Sequence, residues 1–104
     1  MRTLGDCFGN QVRLTAERLA HILEHPEMSG MASEIPRVVS QPRLVRRSRS
    51  DASVRLFYEF HARTILGGKW LCVVVKYAGN DAFVAFVAAV DGGPSAVRPR
   101  WYAQ

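Results

Sequence analysis

Apolar positions follow one rhythm in the first half of this chain and another in the second. In the first half they recur at helical spacing; in the second they alternate or run together, as in strands. Thr15 is a good helix N-cap, and Glu17 sits in the first turn, where negative charge suits the helix dipole. Leu19, Ile22 and Leu23 then form one buried stripe. Pro26 disfavours helical backbone at His25, so this helix is expected to end there. A second helix is expected from Ser29 or Ser33. Its apolar residues Ile35, Val38 and Val39 share a face, Pro36 suits its first turn, and Pro42 closes it. Before both helices, Thr3 to Asp6 and Gln11 to Leu14 flank a Phe-Gly-Asn turn and predict a short hairpin.

Three strands are expected in the second half. In Val54 to His61, VRLFYEFH, the alternation places Val54, Leu56, Tyr58 and Phe60 toward the core. Arg55, Phe57, Glu59 and His61 then point to the other side. Thr64 to Lys69, with Gly67-Gly68, is read as a turn. Trp70 to Tyr77 is a valine-rich strand, and Gly79-Asn80-Asp81 a second turn. Ala82 to Val90 is the third strand, stopped by Gly92-Gly93-Pro94. Leu44 to Arg47 adds a short edge strand. Helices followed by strands predict an α+β fold: two N-terminal helices packed on one face of a twisted antiparallel sheet of about four strands. The opposite face is expected to be open, apart from whatever the C-terminal tail covers.

Length and composition narrow the class. The 104 residues suit one domain, 1–104, and 48% hydrophobic content is enough for a core without staples. The two cysteines, Cys7 and Cys72, are no disulfide framework, and Cys72 lies in an apolar run as a reduced, buried thiol. The N-terminus lacks the apolar region of a signal peptide. No apolar run, Trp70 to Val75 included, approaches the ~20 residues that span a bilayer. A soluble, cytoplasmic protein without a membrane partner is expected.

Charge adds a partner. The net charge is +5, and 12 of the 14 basic residues are arginine. Between Arg37 and Arg55 there are six arginines (Arg37, Arg43, Arg46, Arg47, Arg49, Arg55) against one acid, Asp51. Arginine's planar fork of donors suits phosphate, and an anionic partner is expected, nucleic acid being the commonest. A solvated basic loop would give the same composition.

The stretch HILEHPEM brings candidate chemistry. His21 and His25 are one helical turn apart, with Arg18 on the same side. Zinc takes three or four ligands, and this pair supplies two. The zincin pattern sets a glutamate directly after the first histidine, where Ile22 stands here. Glu27 is a potential third ligand, but Pro26 turns the chain between them. No metal and no cofactor are expected. Proton transfer is the better use of two imidazoles. Metal-free RNA cleavage needs one group to take the 2′-hydroxyl proton, another to protonate the leaving 5′-oxygen, and cations around the phosphorus. The alternative is a surface histidine at 21 and a packing or capping histidine at 25.

The segment DCFGNQVRLTAERLAHILEHPEM resembles the opening of a family of small phage-associated nuclease-like domains. That family falls in the barnase–EndoU–colicin–RelE-like group of ribonuclease folds. Its LTxERxxHIxxxHPE signature is matched by Leu14, Thr15, Glu17, Arg18, His21, Ile22, His25, Pro26 and Glu27. QPRLVRRSRSD, VRLFYEF and GGKWLCVVVKY are similar to later segments of the family in order and spacing. The resemblance implies helices on one face of an antiparallel sheet, with RNA on or beside the open face. It implies a toxin-like, metal-independent endoribonuclease with His21, His25, Arg55 and Glu59 as catalytic residues. Arg46, Arg47, Arg49, His61 and Lys76 would bind RNA, and an inhibitor or antitoxin protein is an implied partner. Lys76 shares its strand face with Trp70, Cys72 and Val74, and Tyr58 is expected as a packed aromatic. One departure is plain. The family's last strand carries a Thr-Ala-aromatic step, whereas Ala82 to Val90 holds no hydroxyl, and Trp101 stands for a later tryptophan. A non-catalytic module gripping RNA or an acidic protein is therefore the alternative expectation.

Overall fold

The structure, a computed structural model, describes residues 2–28, 30–64 and 67–90. The expected stop at Gly92-Gly93-Pro94, the C-terminal tail and Trp101 lie outside them. The chain opens with a hairpin of β1 (Arg2–Gly5) and β2 (Gln11–Leu14). Helix α1 (Ala16–Leu23) follows, then single 3₁₀ turns at Pro26–Met28 and Ala32–Glu34, then helix α2 (Ile35–Ser40). A meander closes the fold: β3 (Leu44–Arg47), β4 (Val54–Thr64), β5 (Gly67–Ala78) and β6 (Asp81–Val90).

Local chemistry explains the boundaries. The Thr15 hydroxyl accepts the Arg18 backbone N–H at 3.1 Å and caps α1. The backbone N–H of His25 reaches back only three residues, to Ile22, and Pro26 then starts a 3₁₀ turn. Pro36 lies in the first turn of α2, where its missing N–H costs nothing. Gly79, at φ +60°, is the first residue of the two-residue turn between β5 and β6, a position where primed hairpin turns favour glycine.

The sheet is larger than expected and mixed. Six strands run in the order β1-β2-β6-β5-β4-β3. Every pairing is antiparallel except β2 with β6, which is parallel through Arg13 and Phe83. The N-terminal hairpin thus extends the meander instead of standing apart. The region expected as a turn from Thr64 to Lys69 is mostly strand, with Thr64 paired to Gly67. On β6, Val74 of β5 pairs with Phe86 and Val75 with Val84, so Ala85 is the extra residue of a bulge.

The helices pack on one face, α1 against β6 and α2 against β1, β4 and β5. Ile22, Ile35, Val38 and Val39 meet Phe57, Val73, Val75 and Val84 there. Burying each such side chain stabilises by roughly 1.5–3 kcal/mol. Leu19 packs at the margin of this core, whereas Leu23 is 45% exposed and not part of the stripe. A helix advances about 100° per residue, so Leu23 is turned off the face that Ile22 centres.

The face assignment on β4 is corrected. Phe57 is fully buried under the helices, so Arg55 and Glu59 share the helix side. Val54, Leu56 and Tyr58 point to the opposite side, where they join Cys72 and Val74 in a second buried cluster. The sheet is therefore apolar on both faces at its centre. Alternation alone could not rank the two sides, because each carries large apolar residues. Cys72 is buried and reduced, as expected, and its thiol is pushed up to about 12 by burial.

Candidate nucleic-acid interface

The arginine run forms the edge of the sheet and the turn that follows it. Arg46 and Arg47 lie exposed on β3, the last strand in the order, and Arg49 is exposed in the turn to β4. That turn is closely knit. The buried Ser48 hydroxyl accepts the N–H groups of Ser50 at 3.2 Å and Asp51 at 3.0 Å. Asp51 accepts from the Ser53 N–H at 2.9 Å and from Lys76 Nζ at 2.6 Å. The Lys76 ammonium, with the Ser53 bonds, holds the Asp51 carboxyl down at about 2. Lys76 thus has a carboxylate partner, and by its register with Val54 it stands on the side of the sheet away from the helices.

Arg55 sits in different company. Its guanidinium lies 4.7 Å from the centre of the Phe8 ring and 4.9 Å from that of Tyr77. Phe8 belongs to the turn between β1 and β2, and its ring is also 6.2 Å from that of Phe57. Strands β6 and β5 separate β2 from β4 in the sheet, so the twist curls the sheet enough to bring the turn back over β4. Together Phe8, Asn10, Val45, Arg47 and Arg55 line a recess of about 440 Å³.

Asp6 holds that turn in place. Its Oδ1 accepts the N–H groups of Phe8 at 2.9 Å and Asn10 at 2.7 Å. Its Oδ2 accepts the Asn10 side-chain amide at 3.0 Å and the Tyr77 hydroxyl at 2.6 Å. Burial opposes the Asp6 charge, but the bonds from Tyr77, Asn10 and Phe8 prevail and hold its carboxyl below the usual range. Burial and the negative Asp6 beside it push the Tyr77 hydroxyl well above its ordinary value, so it stays a donor.

Glu59 is engaged elsewhere. Its Oε1 accepts from Arg43 Nε at 3.1 Å and from the Phe60 N–H at 2.9 Å, and its side chain is largely buried. Arg43 in turn lies over the Trp70 ring at 5.9 Å. His61 is a residue of β4, and its side chain lies outside the described residues.

The two histidines lie on the exposed side of α1 and just past its end. The His21 side chain is 59% exposed, with Nδ1 3.4 Å from a Glu24 carboxylate oxygen. His25 is exposed too, and its ring meets Phe86 of β6 edge-on at 5.6 Å. Neither lines the recess that holds Arg55. Among the described residues no group of three or more His, Cys, Asp and Glu side chains could hold a metal ion. No helix there is long and apolar enough to cross a membrane.

Reading residues alone missed Asp6, Phe8, Asn10 and Tyr77. An Asp four residues before an Asn across Phe-Gly is a turn signal. Nothing local ties that turn to Arg55, because the tie depends on how far the sheet curls. Comparison with family models, with curated proteins and with solved structures finds no match.

Proposed function

We propose that the domain acts on RNA as a metal-independent endoribonuclease. The arginine edge of β3 and the turn after it grips the phosphate backbone, and His21 and His25 transfer protons. One imidazole takes the proton of a ribose 2′-hydroxyl, whose oxygen attacks the adjacent phosphorus. The bond from phosphorus to the 5′-oxygen breaks, and the other imidazole protonates that oxygen. The products are a 2′,3′-cyclic phosphate and a 5′-hydroxyl. The observation that carries this reading is the solvent exposure of both histidines, His21 in the last turn of α1 and His25 just past its end, with His25 braced by Phe86. The HPE signature and the run of arginines support it from the sequence side.

A second reading, RNA gripping without turnover, is favoured by a specific observation. The Arg55 recess contains neither histidine, and Glu59 is taken up by Arg43. The same experiment separates the two. Purified protein is incubated with RNA in EDTA, and the ends are mapped. Cleavage leaving 2′,3′-cyclic phosphates, lost in a folded His25→Ala variant, is the expected result. Intact RNA across varied substrates, with binding that weakens steeply with salt, would remove the enzyme and leave the grip.

A further inference from the structure

Arg47 and Arg55 are direct cross-strand partners on β3 and β4, and both line one recess. Like charges set directly opposite on a sheet repel. Among the described residues neither has a carboxylate partner, although Arg13, Arg37, Arg43 and Lys76 each have one. Asp6, in the turn that carries Phe8, spends its oxygens on Phe8, Asn10 and Tyr77, and Glu59, on the strand of Arg55, is paired with Arg43. The fold nevertheless fixes Arg55 between two aromatic rings. A pair of cations held together without a counter-ion is a place for an anion from outside.

Phe8 narrows the class of anion. It is 53% exposed although it is a large apolar side chain in a turn clamped by Asp6. Arg55 lies over the ring and Phe57 is tilted against it, and the half-exposed side chain lines the recess. An exposed aromatic ring beside guanidinium groups is a stacking platform for a nucleobase. Asn10 adds an amide on the same wall, and a recess of about 440 Å³ falls in the size range of small-ligand sites.

We infer that the recess of Phe8, Asn10, Arg47 and Arg55 is a subsite for one nucleotide, with its base on Phe8 and its phosphate between the two arginines. The inference deepens the RNA reading and rests on it for the choice of ligand. The recess lies apart from the histidine flank, so it positions a strand and is not itself the cleavage centre. A free nucleoside monophosphate and one unit of a single strand present the same chemistry.

Amide NMR titration tests it, with adenosine and uridine 5′-monophosphates, the two nucleosides, inorganic phosphate, and a short single-stranded oligoribonucleotide as probes. Both monophosphates should shift the amides of Phe8, Asn10 and Arg47. Nucleoside and phosphate should each bind at least about tenfold more weakly, because each lacks one of the two contacts that the monophosphate makes. Phe8→Ala and Arg47→Ala should each weaken monophosphate binding by about tenfold, with Arg47→Ala melting as wild type does and Phe8→Ala still folding cooperatively. An oligonucleotide that binds well above the monophosphates identifies a strand as the ligand, and equal binding identifies a free nucleotide. Monophosphates that leave these amides unmoved, or bind both variants as they bind wild type, overturn the subsite. Long RNA cleaved or gripped equally by wild type and both variants also overturns it, and leaves the activity standing. Monophosphate binding here by a protein that neither cleaves nor grips long RNA keeps the subsite and ends the activity reading.

Discussion

Two neighbouring regions solve the problem of polar groups in opposite ways. Around Asp6, both carboxylate oxygens accept hydrogen bonds, from Phe8, Asn10 and Tyr77. On the adjacent strands β3 and β4, Arg47 and Arg55 stand opposite each other, and among the described residues neither has an acid partner. The first region is closed, since its donors and acceptors satisfy one another inside the protein. The second is open, since no described group of the protein neutralises its charge. They are mechanically joined, because Asp6 holds Phe8 and Tyr77, and those two rings hold Arg55. Stability and recognition are thus divided between adjacent groups, one supplying the frame and the other the unmet charge.

The largest effect should come from breaking the closed region. Asp6→Ala leaves the Tyr77 hydroxyl and the Phe8 and Asn10 N–H groups without their acceptor. Its cost is expected at about 2–3 kcal/mol, read from the urea midpoint. Arg47→Ala, on the open side, should stay within about 0.5 kcal/mol of wild type, as exposed positions do. Equal losses in the two variants would erase the distinction between frame and recognition surface.

Acid should produce the next effect, from the same carboxyl. The folded Asp6 group is held below its ordinary value of 3.8. A depressed folded value means that the stabilisation is complete above the unfolded value and is lost as pH falls through the folded one. Asp51, held at about 2 by Lys76, acts in the same direction. Stability should therefore decline as pH is lowered from near 4 toward 2, and the decline should be shallower in Asp6→Asn. Thermal melts across that window measure it. An unchanged slope in the variant would place the acid sensitivity elsewhere.

What the sequence displayed, and what it withheld, follows the range of the interactions involved. Thr15, Pro26, Pro36 and the Gly79 turn are local instructions, and α1, α2 and the last hairpin lie where those residues imply. Ile35, Val38 and Val39 show the same legibility, since helical spacing alone puts them on one buried face. The β4 face was not legible, because Phe57 competes with Leu56 and Tyr58 and only the helices decide between them. The parallel contact of β2 with β6 was not legible either, as strands so distant in sequence carry no mark of pairing. Of the candidate site residues, Arg47 and Arg55 come together through the β3–β4 register, a short-range pairing. Lys76 and Glu59 carry charges that the folded chain neutralises with Asp51 and Arg43. Composition counts such charges but does not show how they pair.

The smallest effect is the most direct probe of the open region. If Arg47 and Arg55 repel, then reversing one charge should convert a cost into a gain. Arg47→Glu places a carboxylate opposite Arg55 on the same face, and should stabilise the fold by about 0.5 kcal/mol at low salt. The gain should shrink as salt is raised, because an exposed pair is screened within about 10 Å at 0.1 M. It should also vanish in an Arg55→Gln background, where no partner charge is left, so that the double-mutant cycle reports the pair itself. The same Arg47→Glu variant should lose nucleotide binding, since its recess then presents one positive and one negative group to a phosphate. Gaining stability while losing affinity is the signature of a charge kept for a ligand. A variant that loses both would show instead that Arg47 serves the frame.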